Sequence, residues 1–293
     1  MARASSPRRD PYDSAATPNS PSSSTSSPLF PYNLLPSYPL PIAPDKHNSS
    51  PSLPATLPVA ETFFSIQGEG KLTGVPSYFI RVAGCNLRCT WCDTPYASWN
   101  PGESSQVMSL GELVEGLLAS GAQHAVLTGG EPMMFPNIEL LSRELHRAKI
   151  HVTIETAGTI ARTPPGLHCD LMSISPKLAN STPHEGDQRD PKGTWRLLHE
   201  QRRINIPALQ SLLDHYSDRQ LKFVIAAPTD IIEIDAILSA LRGVSPSDIL
   251  LMPEGTARTQ PGQTSDVISL CLTRGWRYCH RLHIELFGHT RGT

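Results

Sequence analysis

Beyond about residue 58, apolar and polar positions fall into two rhythms that take turns along the chain. Short runs rich in β-branched and aromatic residues, each ending in glycine or polar residues, predict strands. They are "SYFIRVAG" (77–84), "HAVLTGGEP" (124–132), "HVTIETAG" (151–158), "CDLMSISPK" (169–177), "QLKFVIAAP" (220–228), "DILLMPEG" (248–255) and the closing "RYCHRLHIELFG" (277–288). Between them, leucine, isoleucine and valine recur at the spacing of one helical face. This predicts helices over 109–121, with Gly121 placed to end the first, then 137–148, 207–216, 230–241 and 265–275. Residues 181–203 are polar and follow neither rhythm; a lid, a partner surface or no role all fit them.

Strands alternating with helices imply parallel βα units and an α/β fold. Six or seven strands are too few for the eight of a closed TIM barrel, so the pattern predicts a partial, open TIM-like barrel with helices outside. Motifs fall repeatedly at strand C-termini: Gly84 and Cys85, Thr128 to Glu131, Glu155 to Gly158, Ser175 to Lys177, and Met252 to Glu254. Parallel α/β folds build their sites on that edge, so these five ends are expected to share one rim.

The first 57 residues break this texture. They hold close to half of the 28 prolines and the run "PSSSTSSP". Such composition buries too little apolar surface to offset the entropy of ordering. A disordered Pro/Ser-rich tail (1–57) ahead of one core domain (58–293) is expected. Its start has arginines and serines but no amphipathic helical pattern, so a dispensable tail suits it better than an organelle transit peptide. No charged segment followed by an apolar core opens the chain, and no apolar run reaches bilayer length. A net charge of −2 lacks the basic excess of a nucleic-acid binder. A cytoplasmic protein with no membrane or nucleic-acid partner is expected.

Six cysteines are too few for a disulfide scaffold of this length. Cys169, Cys271 and Cys279 sit in apolar runs and read as ordinary buried residues. Cys85, Cys89 and Cys92 instead form a Cys-x₃-Cys-x₂-Cys run with Trp91 before the last cysteine. Thiolates suit zinc, copper(I) or iron–sulfur clusters. A structural zinc site closes with four ligands, and no second knuckle follows; His124 is the next nearby imidazole. A 4Fe–4S cluster usually takes four cysteines, so three leave one iron open.

This run after a first strand, with "TGGEP" (128–132) at the next strand end, resembles the radical S-adenosylmethionine superfamily. The resemblance covers the chain from about residue 61 to the C-terminus. It implies that S-adenosylmethionine fills the open iron position and is cleaved by one electron to a 5′-deoxyadenosyl radical. It also implies that Gly130, Ser175, Pro176 and Lys177 contact that cofactor, with weaker support for Trp91 and Glu131. Within the superfamily, "FFSIQGEGKLTGVPSYFIRVAGCNLRCTWCDT" (63–94), then "TGGEP", "IETAGT" and "SPK" in order, resembles the 7-carboxy-7-deazaguanine synthase family.

That likeness implies a radical ring contraction of 6-carboxy-5,6,7,8-tetrahydropterin to 7-carboxy-7-deazaguanine with loss of ammonia, a lyase reaction of queuosine and 7-deazapurine biosynthesis. Hydrogen abstraction at C6 starts it, and no side-chain general base is assigned. Carried onto this chain, Ile66, Gln67, Gly68, Arg81 and Thr128 bind substrate, with Glu69 weaker. A guanidinium fork suits the substrate carboxylate; a structural ion pair is the plainer role for Arg81. Thr94 matches a magnesium ligand, although a threonine near a turn more often caps locally. An electron donor such as flavodoxin or ferredoxin and a homodimer are implied as partners. A glycyl-radical activase shares the cysteine spacing, and a zinc-binding structural module is the remaining alternative. His283, near the C-terminus, is expected to be structural.

Overall fold

The structure is a computed structural model that describes residues 55–102, 105–260, 262 and 264–293. The expected tail, up to residue 54, lies outside the described residues. The core begins earlier than expected, because β1 (Thr56–Ile66) starts before the boundary set at 58. Pro58 hid this strand, since proline within a run argues against a ladder.

β2 (Pro76–Val82) pairs antiparallel with β1. After the cysteine loop come a single turn, α1 (Pro95–Ser98), and β3 (Gln106–Ser109), which pairs antiparallel with the other side of β1. α2 (Leu110–Ser120) then opens on a capping box: Ser109 accepts from the Glu112 N–H, and the Glu112 carboxylate accepts from the Ser109 N–H. It ends on Gly121 at φ 73°, as its sequence predicts.

The rest is a series of parallel units: β4 (His124–Gly129), α3 (Asn137–Arg147), β5 (His151–Thr156) and β6 (Leu171–Ile174). Then come α4 (Thr194–Arg202), α5 (Ile206–His215), β7 (Arg219–Ile225), α6 (Ile231–Ser239), β8 (Ile249–Pro253), α7 (Ser265–Arg274) and β9 (Arg277–Tyr278). A last short helix, α8 (Leu282–Phe287), ends the secondary structure. The strands form one sheet in the order β3-β1-β2-β4-β5-β6-β7-β8-β9, parallel from β2 onward and open at β3 and β9. This is the expected open α/β sheet, with β1 and β3 as additions.

Two sequence expectations change. Residues 181–203 contain α4, and the closing strand is only two residues long. Apolar alternation at Leu282, Ile284 and Leu286 imitates a strand, but the Leu282 N–H donates to the Gly68 carbonyl, which draws the chain off the sheet into α8. Only Ile284 of that helix is buried.

Strand alternation explains the layering. Ile80, Leu127, Ile154, Met172, Ile174, Phe223 and Leu251 point outward and pack with Leu113, Leu117, Leu141, Leu145, Leu212 and Ile237 of the helices. Their neighbours on the opposite face, Arg81, Thr128, Glu155, Ser173, Lys222 and Met252, all border one cavity. The same strands are therefore apolar toward the helices and chemically equipped toward the inside.

Candidate functional site

The cavity holds about 470 Å³ and sits at the C-terminal ends of the parallel strands. Cys85, Cys89 and Cys92 line one wall on the loop between β2 and α1, and all three are free thiols. Among the described residues, no three His, Cys, Asp or Glu side chains converge closely enough to hold a single ion. A lone zinc needs every sulfur about 2.3 Å from one point. A cluster, whose irons each take one cysteine, asks for a wider spread, and the three-thiol wall fits that donor set. Burial pushes the Cys85 thiol up to about 12 and raises Cys89 as well.

The loop is fixed by its surroundings. The Gly84 N–H donates to the Ala97 carbonyl (2.7 Å), and the Glu131 N–H donates to the Gly84 carbonyl (2.9 Å). Gly129 and Gly130 are needed for this contact. A Cβ on Gly129 would lie 2.2 Å from the Val82 oxygen, and one on Gly130 would lie 2.0 Å from the Gly84 oxygen. The glycines of "TGGEP" thus permit strand end to meet cysteine loop, backbone against backbone. Glu131 is fully buried and away from the cavity. Its carboxylate accepts from the Met133 N–H, the Thr156 hydroxyl (2.7 Å) and the Ala157 N–H (2.9 Å), tying β4 to β5. Burial raises its pKa despite these bonds.

Beside the thiols, Lys177 donates to the Ser175 hydroxyl (2.8 Å), and its ammonium lies 5.6 Å from the Trp91 ring centre. Trp91 is held by its own Nε1–H, which donates to the Asn180 carbonyl (3.0 Å). Thr94 starts α1, yet its side chain makes no capping bond; its hydroxyl lies 3.8 Å from the Cys92 sulfur.

The opposite wall is polar. Glu155 on β5 accepts from the Gln67 amide and the Thr128 hydroxyl, both at 3.0 Å. Lys222 on β7, buried, donates to Glu69. Burial works to raise the Glu69 carboxyl, but Lys222 and His283 outweigh it and hold its pKa below the ordinary range. Lys222 is raised in turn, because Glu69 and Glu155 overcome the burial that would lower it. His283 of α8 packs on Gly68, where a Cβ would come within 2.0 Å of its Nδ1.

Also lining the cavity, Glu61 on β1 gathers three donors: Arg81 Nε (2.7 Å), the Tyr96 hydroxyl (2.6 Å) and Arg291 Nε (2.9 Å). Arg81 also lies 5.7 Å from the Phe63 ring centre, while Phe63 stacks on Phe79. The Arg81 terminal nitrogens make no hydrogen bond among the described residues. The last residues, His289 to Thr293, border the cavity, anchored by His289 on the Asp93 carbonyl (2.9 Å) and by Arg291 on the Ala60 carbonyl (2.9 Å).

Of the residues singled out from sequence, Ile66, Gln67, Gly68, Glu69, Arg81, Cys85, Cys89, Trp91, Cys92, Thr94, Thr128, Gly130, Ser175 and Lys177 surround this one cavity; Pro176 and Glu131 do not border it. His124, the imidazole weighed for zinc, is buried between the Ser77 and Thr153 hydroxyls. A Radical SAM superfamily model matches residues 79–182. A 7-carboxy-7-deazaguanine synthase from Halobacterium salinarum is 42% identical over 240 residues, 79% of this chain and 90% of that protein. One from Rhodopirellula baltica is 40% identical over 264 residues, 87% of this chain and 98% of its own. The chain belongs to the 7-carboxy-7-deazaguanine synthase family.

The crystal structure of QueE from Escherichia coli agrees with that placement, at 27% identity and a TM-score of 0.57, covering 78% of this chain and 95% of that one. The family likeness assigns no role to Glu61, Asp93, Lys222 or the C-terminal residues and takes His283 as structural, and Glu155, expected on the rim, carries no assigned contact, although all border the cavity. For Lys222 a signal existed: like Arg81, it is a charge flanked on both sides by apolar residues within a strand. His283 carried no comparable signal, because the strand expected there conceals the turn into α8.

Proposed function

We propose that this chain converts 6-carboxy-5,6,7,8-tetrahydropterin to 7-carboxy-7-deazaguanine with release of ammonia, acting as a radical S-adenosylmethionine lyase. The observation that carries the reading is one cavity lined by three thiols, by the polar set Gln67, Glu155, Thr128, Glu69 and Lys222, and by the guanidinium of Arg81. Curated relatives of this name, about 40% identical over most of the chain, support it.

In this reading Cys85, Cys89 and Cys92 hold a 4Fe–4S cluster. When bound, the cluster and S-adenosylmethionine supply a one-electron cleavage that starts the rearrangement. Gly130, Ser175 and Lys177 hold the cofactor, with Trp91 beside it; the polar lysine–serine pair suits a carboxylate, and the tryptophan ring suits an adenine face. Arg81, its Nε anchored on Glu61, keeps its terminal nitrogens for the substrate carboxylate. The carboxylates of Glu155 and Glu69 accept from ring N–H groups, while Gln67 and Thr128, bonded to Glu155, fix its orientation. The C-terminal residues and α8 cover the mouth and limit water, which protects a radical from side reactions. Magnesium at Thr94, whose hydroxyl caps nothing, suits a hard ion bridging to substrate through few protein ligands. A homodimer and an external electron donor complete the reading.

Anaerobic reconstitution followed by incubation with the carboxypterin, reductant and S-adenosylmethionine is expected to yield the deazaguanine product and ammonia, followed by mass analysis. The Cys89→Ala variant should lose both the brown cluster, about four iron and four sulfide per chain in the wild type, and turnover. Full activity from that variant ends the proposal.

A further inference from the structure

One side chain of the cavity wall holds a proton that no neighbour takes. Ser173 on β6 is 1% exposed and borders the cavity. Its register partners are Glu155 on β5 and Gln220 on β7, so the three lie abreast on the inner face of neighbouring strands. Gln220 is equally buried but does not border the cavity.

A backbone group fixes the direction of the hydrogen bonds here. The Lys71 N–H can only donate, and it lies 2.8 Å from the Gln220 side-chain oxygen. The other end of that amide is therefore the NH₂, a donor only, and it lies 2.7 Å from the Ser173 hydroxyl. Ser173 accepts, and its own proton is turned elsewhere. Among the described residues no acceptor meets that proton. Glu155, abreast on β5, accepts from Gln67 and Thr128 but not from Ser173. A buried hydroxyl proton without an acceptor is costly, so its partner belongs on the open side, in the cavity.

The amide is also held from the loop that carries Gln67 and Glu69. A Cβ on Gly70 would lie 2.3 Å from Gln220 Nε2, so the glycine lets this loop close on β7 without displacing the amide. The Gly70 N–H donates to the Cys279 sulfur (3.2 Å), and Lys71 Nζ donates to Asp218 (3.0 Å). The loop is thus clamped against β7 and the residue after β9. It sets the orientation of Gln220 and, through it, of Ser173.

We propose that Ser173 is a further substrate-binding residue that donates its hydroxyl proton to the 4-oxo group of the carboxypterin, with Gln220 as the positioning residue that fixes the direction of that bond. The inference rests on the proposed function and adds a determinant of specificity to it. A pterin presents N–H donors and the 4-oxo acceptor side by side. The carboxylates of Glu155 and Glu69 suit the donors and cannot serve the oxygen. Ser173, level with Glu155, supplies the donor that edge still needs, whereas Ser175 and Lys177, assigned to the cofactor, lie further along the chain. A site built around such a bond rejects an analogue without the acceptor, because the hydroxyl is then buried unpaired.

The test titrates the reconstituted full chain with the carboxypterin and with its 4-amino analogue, S-adenosylmethionine present and the cluster left oxidised so that nothing turns over. The wild type should prefer the 4-oxo compound. Ser173→Ala is expected to weaken carboxypterin binding about tenfold, while affinity for the analogue, affinity for S-adenosylmethionine and iron content stay unchanged. Gln220→Glu keeps an acceptor for the Lys71 N–H but places a second one where the NH₂ stands, turning the Ser173 proton out of the cavity. The hydroxyl remains, yet the preference for oxo over amino should fall in the same way. That change of preference is a cycle between residue and ligand, which a purely structural role leaves at zero. Unchanged preference in Ser173→Ala, or a loss confined to S-adenosylmethionine, overturns the contact; unchanged preference in Gln220→Glu overturns the positioning. Should Ser173→Ala fail to reconstitute, Gln220→Glu decides alone. A wild type that binds neither pterin brings down the functional reading and this inference with it, whereas one that binds both alike brings down the inference only.

Discussion

Lys222 sits among apolar neighbours on β7 with Glu69 as its hydrogen-bonding partner, both inside the cavity wall. Removing one partner of such a pair strands a charge in a poorly solvated place and costs about 3–5 kcal/mol, although replacing both is often nearly neutral. Lys222→Met is therefore expected to destabilise the protein by about that amount, and Glu69→Gln/Lys222→Met to recover most of it. Urea unfolding of the two single variants and the double variant closes the cycle; additive losses would separate the residues. Arg81 differs, because its partner Glu61 keeps Tyr96 and Arg291 when the guanidinium is gone. Arg81→Ala should spare the cluster and weaken carboxypterin binding by about 1.5–3 kcal/mol, the value of a charge-assisted hydrogen bond, read by calorimetric titration. Unchanged affinity removes Arg81 from the site. Arg81 and Lys222 are equally visible in the sequence as charges flanked by apolar residues, but only Arg81 drew attention, through the family likeness, while Glu155 stands on the rim by its strand end alone. A run buried on both faces does not reveal which of its residues look inward.

At the scale of elements, glycines at strand ends and glycines in helices make opposite predictions. Gly130→Ala would drive a methyl group against the Gly84 and Ala97 carbonyls, 2.0 and 3.0 Å away, which are backbone and cannot swing aside. A loss of about 1–3 kcal/mol and a poorer yield of cluster on reconstitution are expected. Gly111, exposed in the first turn of α2, has no heavy atom nearer than the Ser109 hydroxyl at 3.9 Å. Gly111→Ala should stabilise by about 0.5–1 kcal/mol through helix propensity and a less flexible unfolded chain, with cluster yield unchanged. Melting curves and iron content of the two variants test the contrast. The central strands and most helices were legible in the sequence because each combines a burial rhythm with a clear stop, such as Gly121. β1, β3 and α8 were not. β1 carries Pro58, β3 has four residues with Gln106 and Val107 exposed, and α8 is fixed by contacts with Gly68 far away in sequence. The cysteines were legible for the opposite reason, since their spacing alone carries the chemistry. The wall facing them draws on β1, β4, β5, β7 and α8, and only the fold assembles it.

Across the whole molecule, two buried histidines couple stability to pH. His124 joins β2 to β5 through Ser77 (2.6 Å) and Thr153 (2.8 Å), edge-on to His151. His199 joins α4 to the cysteine loop: its Nδ1 accepts from the Arg88 N–H, so the ring is neutral and its Nε2–H donates to the Ser181 hydroxyl (2.9 Å). Burial pushes both down to about 4; His151 adds to the effect at His124, while Glu155 and Asp170 oppose it, and at His199 Glu200 opposes while Arg203 and Lys177 assist. The sign follows from the protons bound. Between the unfolded value of about 6.5 and the folded value of about 4, the unfolded chain holds more protons, so stability rises with pH across that window. The contribution is complete above about 6.5 and drains as pH falls toward 4; at pH 5 each histidine has cost about 2 kcal/mol relative to pH 7. Urea unfolding at pH 7, 6 and 5 should show that decline, and His199→Gln should be less stable at pH 7 yet lose less on acidification. The two losses differ in place. His199 protonated can no longer accept the Arg88 N–H, so acid should loosen α4 from the cysteine loop before the sheet unfolds. Amide exchange at Arg88 rising below pH 5.5, ahead of the β5 amides, would show that order, and simultaneous rise would refute it.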